Sequence, residues 1–145
     1  ARERDPADFP RAVEAHLRPG LHVRQARQLG ALSGISALMD VSDGLAQDVP
    51  RLLGPGKGAS LRLEEEDLHP EVIAWAGQEG VSPVELAFRG GEEYALLGAV
   101  DPASRYELVR LVPEARFLGE IVSGEEILLN GNPAGIQGFD HMRGG

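Results

Sequence analysis

Residues 34–53 read GISALMDVSDGLAQDVPRLL, and this stretch sets the fold class. Its first part, 34–41, is a mostly apolar run of strand length. Its second part carries Leu45, Val49, Leu52 and Leu53 at helical spacing, with Ser42 offered as the N-cap. Pro50 falls inside that helix and predicts a kink or an early stop. A strand that turns directly into a helix belongs to layered domains, whose ligands gather at such edges. The turn here, Asp40-Val41-Ser42-Asp43-Gly44, is acidic at a point where an apolar strand ends.

Two chemistries account for those carboxylates. In one, Ser42 or Asp43 caps the helix and Asp40 sits in solvent. In the other, the acids hold a cation. Two carboxylates ~5 Å apart repel by about 3 kcal/mol at an effective dielectric of ~20, and a divalent cation reverses that sign. Oxygen donors without histidine suit Mg²⁺. The spacing leaves both readings open. Asp48, a full turn further into the helix, is expected to face solvent.

Working outward, the opening ARERDPADFPRAVEAHLRPG is charged and holds three prolines. Asp5-Pro6 offers a helix start, Pro10 an early interruption and Pro19-Gly20 a stop. Residues 21–32 have helical composition, with Val23, Ala26 and Gly30 on one side. After the central helix, GPGKG reads as a turn and residues 59–63, ASLRL, alternate as a short strand. EEEDLHP is an acidic loop, and Pro70 opens a helix through Ile73, Ala74 and Trp75. A short helix over 82–88 ends at Gly90-Gly91, and EEYALLGAV reads as a strand. Residues 102–112 are helical on Tyr106, Leu108, Val109 and Val112. FLGEIV and EILLN are two strands around Ser123-Gly124, and Asn130-Gly131 is the next turn. The tail GFDHMRGG has no period. The order α, α, β, α, β, α, α, β, α, β, β predicts an α+β domain of layered α/β character, a mixed β-sheet with helices packed on it.

The totals narrow the function. The 145 residues, 42% of them hydrophobic and 26% charged, suit one domain with a core of its own. A net charge of -9 argues against a nucleic-acid partner, and the 5% aromatic content against a base-stacking platform. Phosphates remain acceptable where metal ions intervene. The chain has no cysteine, which removes disulfides and thiolate chemistry and is compatible with a cytoplasmic protein. No apolar run reaches the ~18 residues of a membrane span.

Other motifs do less. GPGKG is too short for a phosphate loop and lacks Ser or Thr after Lys57, the only lysine. His16, His22, His69 and His141 show no metal-ligand spacing and read as surface or capping residues. In Gly90-Gly91-Glu92-Glu93-Tyr94, the glycines allow close backbone approach to a ligand. The two acids would point to opposite strand faces. The bland reading is a loop that ends in solubilising charge.

Taken together, "DVSDGL", "GGEEYALL" and "GFDHM", with His16-Leu17-Arg18-Pro19 ahead of them, resemble the C-terminal half of the thiamine-monophosphate kinase family. That family is similar to the aminoimidazole ribonucleotide synthetase superfamily, which includes selenophosphate synthetase and a hydrogenase maturation protein. The motifs occur in the family's order and span nearly the whole chain.

The resemblance implies transfer of the ATP γ-phosphate to thiamine monophosphate, giving thiamine diphosphate, with several Mg²⁺ ions. It implies Asp40 and Asp43 as Mg²⁺ ligands and Ser42 as a contact to ATP phosphate. It places Glu93, with Glu92, on the thiamine side, and Phe139 and Met142 near the substrate ring. Glu93 stands where the family has Asp, and Met142 where it has Phe. The resemblance further implies residues 1–20 as an interdomain segment, residues 21–145 as the C-terminal domain, and an N-terminal ATP-binding domain absent from this chain. It also implies a homodimer for the full-length protein. On that expectation the 145 residues alone are not a competent kinase. Two alternatives keep the fold: a cyclo-ligase or selenophosphate synthetase of the same superfamily, and a binding or regulatory module without catalysis.

Overall fold

The computed structural model describes residues 8–91 and 94–134. Helices α1 (Pro10–Leu17) and α2 (Val23–Gly30) lead into strand β1 (Ile35–Asp40) and helix α3 (Leu45–Leu53). Strand β2 (Lys57–Leu61), helices α4 (Pro70–Glu79) and α5 (Pro83–Arg89), strand β3 (Leu96–Val100) and helix α6 (Arg105–Leu111) follow. Strands β4 (Gly119–Ser123), β5 (Ile127–Leu129) and β6 (Asn132–Pro133) complete the described chain. The predicted order of elements holds, with β6 added after the Asn130-Gly131 turn.

The strands divide into two sheets. β1 and β3 pair antiparallel, and the second sheet runs β4-β2-β5-β6. β2 is antiparallel to β4 and parallel to β5, so this sheet is mixed. The two strands flanking Ser123-Gly124 do not pair with each other, because β2 lies between them. Two adjacent strands with a short link can form a hairpin, but β2 supplies the partner edge for both.

Register follows from which faces are buried. Ile35 pairs with Val100 and Ala37 with Ala99, which leaves Ser36 as a bulge. The extra residue shifts the pleat by one, so Ile35 and Leu38 turn to the same apolar cluster despite odd spacing. Gly98 opposite Leu38 makes room for it, since a Cβ there would lie 3.1 Å from Leu38 Cδ1. β3 is apolar throughout because it serves two cores. Leu96 and Val100 face the cluster of Leu29, Leu32, Leu108 and Val112, while Leu97 packs on the cluster built by α3, β2, α5 and β5. The second cluster centres on Val49, Leu53, Ala59, Phe88, Ile127 and Leu129.

Helix starts follow local chemistry. The His69 ring accepts the Glu71 N–H at α4, Ser82 Oγ accepts the Glu85 N–H at α5, and proline opens both helices. Pro10 likewise opens α1 and does not interrupt it, because proline's missing N–H costs nothing in a first turn. The Glu71 carboxylate accepts the Arg11 and Ala12 N–H groups at 3.3 and 2.8 Å and so holds α1 on α4. Val23 is exposed, and Leu29 is the residue α2 buries. Pro50 does not stop α3, which runs on to Leu53. GPGKG is a helix-to-strand turn, with Gly54 and Gly56 at positive φ. No helix of the described residues is long and apolar enough to cross a membrane.

Candidate functional site

β1 ends at Asp40, whose side chain is exposed. The ladder with β3 continues one step further: the Val41 N–H donates to Ala95 O at 2.8 Å, and the Tyr94 N–H to Val41 O at 3.0 Å. Val41 is buried, so it anchors the turn that follows. Asp43 then sits exposed and Ser42 half-buried.

The entry into α3 differs from the expected cap. Gly44 occupies the N-cap at φ 93 and ψ 158, and no side chain caps the helix there. Ser42 therefore is not the cap. The N–H groups of the turn are held from inside the helix by Asp48, which is fully buried. Its Oδ2 accepts the Ser42 N–H and the Asp43 N–H, each at 2.9 Å. Its Oδ1 accepts Arg51 Nη1 at 2.9 Å. The expectation that Asp48 faces solvent is wrong, and helical periodicity carried the signal against it. Position 48 lies three residues after Leu45 and four before Leu52, on the apolar side of α3. A carboxylate placed there must be paired.

Arg51 also pairs with Asp43. The Asp43 hydrogen bond, then that of Asp48, holds the guanidinium pKa above its ordinary value. Asp43 is thus fixed twice, through its backbone by Asp48 and through its carboxylate by Arg51.

The second motif meets this turn backbone to backbone. A Cβ on Gly91 would lie 2.6 Å from Ser42 O and 3.1 Å from Asp43 C. A Cβ on Gly44 would lie 2.5 Å from Gly90 O and 2.8 Å from Arg89 O. Only glycine permits contact this close on both sides. The double glycine therefore serves the Asp40–Gly44 turn, and the structure brings the two motifs together at one edge. Tyr94, which leaves this junction, adopts φ 51 and is 42% exposed, an uncommon backbone for an aromatic residue.

Glu92, Glu93, Phe139 and Met142 lie outside the described residues, as do Asp5-Pro6 and His141. Among the described residues no group of three His, Cys, Asp or Glu side chains stands ready to hold a metal ion. Asp40 and Asp43 are exposed carboxylates, the type of oxygen donor that Mg²⁺ takes, with Asp43 paired to Arg51. This cation is commonly held by one or two carboxylates, with phosphate oxygens and water completing its shell. His69 is a capping residue, as its spacing suggested.

No family model matches the chain. It is 35% identical over 88 residues to the thiamine-monophosphate kinase of Rhodopirellula baltica, covering 60% of this chain and 28% of that relative. It is 28% identical over 131 residues to the thiamine-monophosphate kinase of Aquifex aeolicus, covering 90% of this chain and 41% of that relative. The structure of AaThiL complexed with AMPPCP and TMP matches with a TM-score of 0.68 and 25% identity, over 91% of this chain and 41% of that one. Escherichia coli HypE, a hydrogenase maturation protein, has the same fold at a TM-score of 0.63 and 17% identity, over 84% of this chain and 40% of that one. The chain spans less than half the length of the curated relatives it matches. By sequence and by fold, the chain is similar to part of the thiamine-monophosphate kinases.

Proposed function

We propose that the chain contributes the Asp40–Gly44 wall of a site that transfers the ATP γ-phosphate to thiamine monophosphate. The observation that carries this reading is the glycine-to-glycine packing of the Asp40–Gly44 turn against Gly90-Gly91. It puts the acidic turn beside the residues that lead into Glu92 and Glu93. The AaThiL structure named with AMPPCP and TMP supports the pair of substrates.

Phosphoryl transfer asks for positioning and charge neutralisation more than for a protein nucleophile. Mg²⁺, when bound, neutralises phosphate charge. Asp40 and Asp43 are the residues that would hold it. The Ser42 hydroxyl would orient a phosphate oxygen. The Ser42 and Asp43 N–H groups take no part in that contact, because Asp48 already occupies both. Glu92 and Glu93 would face the thiamine side, with Phe139 and Met142 near its ring. We place the adenine contacts, the remaining magnesium ligands and the dimer contact in a preceding domain of a longer cytoplasmic protein.

The test is an assay of thiamine diphosphate formation from thiamine monophosphate, ATP and Mg²⁺. A protein joining this chain to such a domain turns over, and its Asp40→Ala variant loses at least 100-fold (on the order of the effect of one electrostatic contact to a transition state) while folding normally. Turnover that survives in Asp40→Ala rejects Asp40 as a ligand. Product formed by the 145 residues alone rejects the two-domain reading. If the fold serves a cyclo-ligase or selenophosphate synthetase reaction, thiamine monophosphate is not consumed. A non-catalytic module consumes no ATP at all.

A further inference from the structure

Asp48 is the one buried charged side chain among the described residues, and every hydrogen bond it makes serves the candidate site. A helix start has a cheaper device available, a Ser or Asp side chain at the N-cap. Ser42 and Asp43 stand beside that position and are not used for it. With their N–H groups held from beneath by Asp48 Oδ2, their side chains are released from capping. Asp43 stays exposed. Arg51 completes the arrangement by bridging Asp48 Oδ1 to the Asp43 carboxylate.

We propose that Asp48 is a positioning residue. It holds the Ser42–Asp43 turn in a ligand-ready form before any ligand arrives, while Arg51 serves as the counter-cation that Asp43 exchanges for a divalent ion. The inference rests on the reading of Asp40 and Asp43 as cation ligands. It adds a division of labour: Asp48 sets the backbone, and Arg51 neutralises Asp43 in the empty site.

The experiment uses the full 145-residue chain, labelled with ¹⁵N, and Mn²⁺ alone as the probe. Amide resonances of residues 40–44 report both cation binding, through paramagnetic broadening, and the state of the turn, through the shifts of Ser42 and Asp43. In the unsubstituted chain these amides broaden on titration. Asp48→Asn keeps the side chain's shape and the cooperative melt. It moves the Ser42 and Asp43 amide shifts and weakens Mn²⁺ binding about tenfold, as expected when a charge-assisted hydrogen-bond pair to the loop is weakened. Arg51→Gln leaves those two shifts near their original values and binds Mn²⁺ at least as tightly as before. Unchanged affinity in Asp48→Asn overturns the proposal, and so does equal weakening in Arg51→Gln. Global unfolding of Asp48→Asn also overturns it, because Asp48 would then support the whole fold and not the turn. If the unsubstituted chain shows no broadening at residues 40–44, the turn is not ligand-ready on its own and this inference falls; the cation reading itself is decided separately, by the turnover of the Asp40→Ala variant.

Discussion

Gly91 and Asp48 show how single residues define the site from opposite sides. Gly91 lies against the carbonyl of Ser42, and Asp48 holds the amides of Ser42 and Asp43. Gly91→Ala inserts a methyl where backbone atoms already stand at 2.6 and 3.1 Å. The loops must part, and neither contact is the flexible end of a side chain. The expected cost is about 1–3 kcal/mol by urea denaturation. The Ser42 and Asp43 amide shifts should move with it. Wild-type stability and unmoved shifts would show that the two loops do not pack as described. Residue chemistry made Asp40, Ser42 and Asp43 legible as candidates, since acids at the end of an apolar strand need a reason. Asp48 was misread because an acid usually marks a solvated helix face, although its spacing from Leu45 and Leu52 placed it inside.

At the scale of elements, local chemistry and pairing behave differently. The Asn130-Gly131 turn joins β5 to β6 with φ 52 and φ 79, both positive as a type I′ hairpin demands. A Cβ on Gly131 meets nothing within 4 Å, so Gly131→Ala tests backbone strain alone. It should cost about 1 kcal/mol, read as a lowered denaturation midpoint with an unchanged slope. No loss of stability would mean that the turn is not of this type. The turn is legible because two adjacent residues specify it, whereas the two-residue strand β6 that follows was not. The placement of β2 between β4 and β5 is not, because it joins residues 57–61 to two strands some sixty residues away. The bulge at Ser36 is likewise set by which face of β1 each core requires.

For the molecule as a whole, α3 is the member that both sheets share. Val49 and Leu53 pack with Ala59, Phe88 and Ile127, with Leu45 of the same helix beside them, and Leu97 of β3 closes the cluster from the other sheet. Phe88 is 1% exposed and lies in α5, directly before Arg89-Gly90-Gly91. Phe88→Ala should remove about 3–5 kcal/mol. It should also loosen the glycine contact, so amide protection at residues 42–44 should fall along with global stability. Protection there that persists would uncouple the site from this core.

The amino-acid sequence by itself determined the class, the order of elements, the strand-to-helix turn at Asp40–Gly44 and the resemblance carried by its motifs. These depend on hydrophobic period, on turn chemistry and on residues close together along the chain. Only the tertiary structure decided that there are two sheets, that Gly91 seats against Ser42, and that Asp48 is buried beneath the turn it organises. The first two depend on partners remote along the chain; the spacing of Asp48 from Leu45 and Leu52 signalled its burial, but only the folded turn brings the Ser42 and Asp43 amides onto its carboxylate. Burial gives the pairing its weight, since a carboxylate removed from water must find donors, and only the folded backbone brings them within reach.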